Sequence, residues 1–199
     1  MDIQKIINYD SLDERNSEWL RARRLYLNDE IDDCTVEPIV RAILQYNEED
    51  KGLQVKDRKP IILYCTSNGG SVTDGFSVIN IIETSKTPVY TVNLAYQYSM
   101  GFLIGLVGHK RYAMPDATFL MHDGTNVVWD SAAKCKDQLE FQEKMAQRIK
   151  RLVLSHSNIT EKQYDENYRK EWYTYPEEAK ALGFTDYIIG EDCDIDEIL

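Results

Sequence analysis

Residues 60–67, PIILYCTS, form an apolar, β-branched run without alternating polar positions, closed by the turn signal Asn68-Gly69-Gly70. A strand of that composition must be covered on both faces, because neither side can be left to water. VYTVNLA (89–95), just after Pro88, and ATFLMH (117–122) repeat the pattern. Between the first two runs, SVTDGFSVINIIETS (71–85) switches to the 3.6-residue period of a helix. Buried strands alternating with helices predict an α/β domain with a mostly parallel, covered sheet. At 199 residues the chain has the size of one such domain.

The remaining segments fill in the frame. RLYL (24–27) reads as a short strand, and TVEPIVRAILQYN (35–47) as an amphipathic helix with Val36, Ile39, Val40, Ile43 and Leu44 on one face. NEEDKGLQVKDRK reads as an exposed loop. A helix is expected from just after Ser99 to about Val107, and GHKR, containing His109, as a surface turn. Phe141, Met145, Ile149 and Leu152 belong to one long helix spanning about 130–155. His156 ends it, where a cation suits the helix dipole. Thr160 and Gln163 form a capping box for a short helix. PEEAKALG has proline early and glycine just past its end, the usual asymmetry of a helix. FTDYII (184–189) reads as the last strand.

Charge and cysteine usage exclude several classes. The net charge of −11 sets the chain against phosphate, so general nucleic-acid binding is not expected. The basic cluster Arg21, Arg23 and Arg24 reads as a solvated strand edge. The terminal GEDCDIDEIL reads as a solvated, mobile acidic tail. No apolar run is long enough for a bilayer span, and MDIQKIINYDSLDERN is too polar for a signal peptide. A cytoplasmic protein without membrane contact is expected. Cys34, Cys65, Cys135 and Cys193 are scattered without CxxC spacing, so reduced packing cysteines are expected, with no disulfide and no metal.

Chemistry in parallel sheets gathers at the carboxyl ends of strands. Ser99 lies at such an end, between an apolar strand and an apolar helix, where a serine ordinarily caps the helix. Three neighbours suggest more. The first amides of the following helix are unpaired, and Gly69-Gly70 leaves backbone N–H groups accessible at the adjacent strand end. His122 ends the next strand. An alcohol, an imidazole that titrates near neutrality and paired amide donors are the parts acyl transfer needs.

Four segments in order, SNGGSVTDG, YSMGF, FLMHDG and WYTYPEEAKALGFTDYII, resemble the ClpP family, the proteolytic subunits of the Clp protease. That family reads S-P-G-G-x-x-x-x-G, A-S-M-G-A, M-I-H-Q-P and F-x-S-x-x-E-A-x-x-x-G-x-x-D. The similarity runs from about Arg23 to Ile189. It implies a ClpP/crotonase-like fold of stacked β-β-α units in residues 23–190, with the 130–155 helix as a protruding handle. A divergent N-terminal segment, 1–22, would precede this domain and the acidic tail, 191–199, follow it. By the resemblance Ser99 is the nucleophile, His122 the general base, and the backbone amides of Gly70 and Met100 the oxyanion hole. Glu171 stands where the family has its aspartate, with Asp165 close enough to compete. Asn68 replaces a proline, Tyr98 a small residue, and Asp123-Gly124 a Gln-Pro pair; Asp123 is expected to face solvent.

The family binds extended peptides as an added strand, implying edges at 70–73 and 123–126, with Ser71, Val72, Gly124 and Thr125 against substrate and Val72 in a shallow first pocket. It also implies a homo-oligomer of heptameric rings stacked in pairs, and a ring-shaped AAA+ unfoldase that spends the ATP. The first 20 residues do not resemble the family's usual N-terminal loop. The expected activity is therefore a serine endopeptidase acting on unfolded polypeptides, without cofactor. The alternatives are an inactive ring subunit and a crotonase-type acyl-CoA enzyme, which would need no serine and histidine in register.

Overall fold

The computed structural model describes residues 18–125 and 127–199. Among the described residues seven strands form one sheet: β1 (Arg24–Leu27), β2 (Ile61–Ser67), β3 (Val89–Tyr98), β4 (Lys110–Ala113), β5 (Thr118–Met121), β6 (Trp172–Thr174) and β7 (Tyr187–Ile188). The path is β1-β2-β3-β4-β7, parallel throughout, with β5 parallel to β3 and β6 antiparallel to β5. The helices among the described residues include α1 (Asp33–Glu49), α2 (Val72–Thr84), α3 (Met100–Leu106), α4 (Ala132–Ser155), α5 (Glu161–Asn167) and α6 (Pro176–Ala181). The expected α/β architecture is present.

β3 organises the molecule. Its first half pairs with β2 and β4, Tyr90 facing Lys110 and Asn93 facing Ala113. Between Asn93 and Gln97 the register with β2 jumps, since Cys65 faces Asn93 and Ser67 faces Gln97. Such an irregularity bends and twists a strand. Beyond it β3 pairs with β5 instead of β4, Tyr96 facing Thr118 and Tyr98 facing Leu120. Asn93 Nδ2 spans the changeover by donating to Thr118 O at 2.9 Å. The strand thus continues to Tyr98, three residues past the apolar run.

Alternation along β2 divides the core. Ile61, Leu63 and Cys65 pack with Val78, Ile79 and Phe102 among the helices. Ile62 and Tyr64 point oppositely, into a smaller cluster with Val92, Tyr112 and Ile189. Ile198 joins that second cluster, 3% exposed, and Tyr64 Oη donates to its carbonyl. The acidic tail therefore ends in a packed 3-10 turn, Ile195–Ile198, where a solvated terminus was expected. Docking of Ile198 on the apolar sheet face is joined by Asp192, which accepts from Ile188 N–H at 2.7 Å.

Two basic runs also differ from expectation. Arg23, with φ of 63°, turns its guanidinium onto buried Asp50 in two hydrogen bonds of 2.6 and 2.7 Å, and donates to Lys59 O at 2.9 Å. It joins β1 to α1 and is no solvated edge. Lys110 and Arg111, expected in a turn, begin β4; Arg111 N–H and Nε donate to Asp186 Oδ2 at 2.9 and 3.0 Å, and Nη1 donates to Gly183 O at 2.6 Å. Those partners lie more than seventy positions away, out of reach of local pattern. The long helix α4 forms as expected, but of its residues only Leu152 and Val153 are buried; Leu139 and Phe141 are 53% and 62% exposed.

Candidate active site

Ser99 sits on a sharp strand-to-helix turn with φ of 53° and ψ of −120°, a conformation costly for a residue with a side chain. Its hydroxyl makes no capping bond, so the ordinary role of a serine at this position does not apply. The turn is pinned instead through the backbone. Ser99 N–H donates to Leu120 O at 3.0 Å, and Ser99 O accepts from Leu103 N–H at 3.2 Å. Gly69, itself at φ of 99°, packs directly beneath: a Cβ there would lie 2.7 Å from Ser99 Cβ and 3.1 Å from Met100 N. Only glycine permits the two strand ends to meet this closely. The hydroxyl is left free at the mouth of the turn.

His122 follows β5, the neighbour of β3, so strand pairing carries it towards Ser99. The two residues line one cleft of about 80 Å³, with Met100, Val72, Leu103 and Ile149 among its walls. Behind the imidazole, Met121 of β5 faces Trp172 of β6 in antiparallel register, which sets the next residue outward on each strand side by side. Those are His122 and Glu171, and His122 Nδ1 lies 2.8 Å from Glu171 Oε1. The competing acid is engaged elsewhere: Asp165 accepts from Lys150 Nζ at 2.7 Å. Tyr173 Oη reaches the other Glu171 oxygen at 3.5 Å. Asp123 is exposed, as expected.

The two amides stand at the same edge. Ile31 N–H donates to Gly69 O at 2.9 Å and Ile31 O accepts from Ser71 N–H at 2.7 Å. A strand bonded through residues 69 and 71 turns the N–H of residue 70 to its opposite side. A Cβ on Gly70 would stand 2.4 Å from Ile31 O, which explains the second glycine. Met100 is the first residue of α3, and helix-end amides of that kind have no intrahelical partner.

Of the four residues expected against substrate, Val72 and Gly124 line the cleft. Ser71 has its N–H committed to Ile31 and its hydroxyl to capping α2, accepting from Asp74 N–H at 3.3 Å. Thr125 is exposed and outside the cleft lining, and Asn126 lies outside the described residues. The expected edge at 70–73 is shorter, since α2 begins at Val72. Sequence reasoning missed Ile31 and Ser67, which hold the glycine turn, because nothing local marks a residue whose partner is about forty positions on. It also missed the cleft's aromatic wall, Tyr164 and Tyr168, stacked at 5.2 Å. Burial pushes the Tyr164 hydroxyl up to about 12, so it remains neutral. Burial likewise pushes Cys65 up to about 12, which removes it as a nucleophile. Among the described residues one group has metal-ligand spacing, Asp32, Asp33 and Cys34; it is exposed, away from the cleft, and Asp32 caps α1.

Comparison with known proteins gives a consistent neighbourhood. The family model for Clp protease matches residues 8–192. The ATP-dependent Clp protease proteolytic subunit 2 of Corynebacterium efficiens is 31% identical over 173 residues, covering 85% of this chain and 83% of that protein. Its counterpart from Thermobifida fusca is 29% identical over 181 residues, 88% of this chain and 85% of that protein. The subunit 2 of Tropheryma whipplei is 30% identical over 172 residues, with 85% and 92% covered.

Proposed function

This chain belongs to the Clp protease family, and from that premise we propose that it is a serine endopeptidase cutting unfolded polypeptides by an acyl-enzyme route. The observation that carries the reading is the uncapped Ser99 hydroxyl, held at positive φ over a cleft shared with His122, whose other face meets Glu171. Ser99 Oγ attacks the scissile carbonyl while His122 Nε2 takes its proton. The carbonyl π pair moves onto oxygen, which the N–H groups of Gly70 and Met100 stabilise. Collapse breaks the C–N bond, and His122 returns its proton to the departing amine. Water then repeats the sequence on the ester, releasing the acid and restoring Ser99. Glu171 accepts from Nδ1–H, which fixes the tautomer and stabilises the imidazolium.

Val72, Leu103, Ile149 and the two tyrosines give the cleft an apolar lining sized for one side chain. Peptides with an apolar residue before the scissile bond suit it best. The chain works as a ring oligomer in the cytosol, with an AAA+ unfoldase delivering substrate. Its support is the family resemblance and the exposed, partly apolar α4. Among the described residues no helix is long and apolar enough to cross a membrane. Hydrolysis of fluorogenic peptides tests the activity. Turnover by the wild type that falls about 10³-fold or more in Ser99→Ala and His122→Ala is expected. Turnover surviving Ser99→Ala would contradict the reading.

A further inference from the structure

We infer that Ser67 is a positioning residue that sets the spacing of the two backbone donors in the proposed oxyanion hole, an inference that rests on the peptidase reading above. Ser67 ends β2 and is itself 1% exposed. Its hydroxyl donates to Asp29 O at 2.7 Å and accepts from Gly69 N–H at 3.1 Å. One side chain thereby ties the loop after β1 to the glycine turn after β2.

The tie matters because of what that loop does two residues later. Ile31 grips Gly69 O and Ser71 N–H. Gly69 N–H, Gly69 O and Ser71 N–H are therefore all fixed, two by Ile31 directly and one by Ser67, which also holds the loop carrying Ile31. Of the three N–H groups at residues 69–71, that of Gly70 is the one left to face a ligand. The same serine supports the other donor. A Cβ on Gly101 would stand 2.9 Å from Ser67 O and 3.1 Å from Ser67 Cβ, so the first turn of α3, which carries Met100 N–H, rests on Ser67. Both donors are indexed to one buried residue that is not among those lining the cleft. An oxyanion hole depends on donors fixed before charge develops, since a donor that must reorient during the reaction loses its advantage.

The test compares wild type, Ser67→Ala and the isosteric Ser67→Cys on a peptide ester and on its thionoester, whose sulfur accepts hydrogen bonds poorly. Ser67→Ala is expected to lower kcat on the ester about 10- to 100-fold, below the loss from deleting a donor outright, with KM within about threefold. The ester-to-thionoester ratio of kcat falls by a similar factor, which general loosening of the fold would not produce. Ser67→Cys falls between, and carries the same comparison should the alanine variant fail to fold. Hydrogen exchange of the segment 67–71, read without turnover, is expected to speed up in Ser67→Ala while β3 and α2 keep wild-type protection. An unchanged kcat, an unchanged ester-to-thionoester ratio or unchanged exchange would each overturn the inference. A wild type inert on both ester and peptide overturns the peptidase reading itself, and this inference with it.

Discussion

The reactivity proposed for Ser99 comes with backbone strain. Residues with a Cβ are costly at φ of 53° and ψ of −120°, and the cost is offset by the pinned turn around it. Alanine keeps that strain, whereas glycine relieves it. Ser99→Gly is thus expected to be more stable than Ser99→Ala by about 1 kcal/mol in denaturant unfolding, with both inactive; equal stabilities would mean that the turn is unstrained. For the proposed third acid, strand register brings Glu171 to His122 and leaves Asp165 on Lys150. Glu171→Gln keeps the shape but loses the charge behind His122, and kcat is expected to fall by about 10²-fold or more. Asp165→Asn, losing only a contact to Lys150, should leave kcat within about twofold. A large loss in Asp165→Asn with none in Glu171→Gln would reverse the assignment. That Ser99 and His122 meet in one cleft was legible because one lies between two apolar segments and the other ends an apolar run at the neighbouring strand. Asp165 stayed open because only the pairing of β5 with β6 separates it from Glu171.

At the scale of elements, continuous apolar runs gave away β2, β3 and β5, and period and capping gave away the helices. The short strands β4 and β6 carry KRYA and WYT, whose strand character comes from long-range partners. β4 is fixed by Arg111 on Asp186, and β1 meets α1 through Arg23 on Asp50. That second pair makes a pH prediction. The Arg23 guanidinium, joined by the Thr87 hydroxyl, holds the Asp50 carboxyl below its ordinary range, while burial opposes them. A depressed native value stabilises the fold at pH above the unfolded carboxyl's range, and that stabilisation is lost as pH falls through the native value. Asp50→Asn leaves a mostly buried guanidinium with only the half-exposed Glu49, 3.6 Å away, as counter-charge, a loss of about 3 kcal/mol at pH 7. The gap between wild type and variant should narrow below about pH 4. Thermal unfolding across that range checks the sign; a gap that widened in acid would be inconsistent with the pairing.

For the molecule as a whole, the exposed stretch of α4 is the least explained by one subunit alone. Val127 and Trp129, leading into it, are 86% and 94% exposed, and Leu139 and Phe141 follow on the helix. Large apolar side chains left open in this number favour coverage by another copy. Leu139→Asp with Phe141→Asp is expected to yield smaller assemblies by sedimentation while leaving subunit unfolding within about 1 kcal/mol, because neither residue is buried within the subunit; an unchanged sedimentation profile would remove α4 from the interface. Chemistry and assembly meet in one measurement. Native assemblies treated with a fluorophosphonate, digested and mapped by mass should carry the adduct at position 99, and lose it in His122→Ala. An adduct on any other serine, or none on a well-folded wild-type assembly, would leave the strand-end constellation without a reaction to perform.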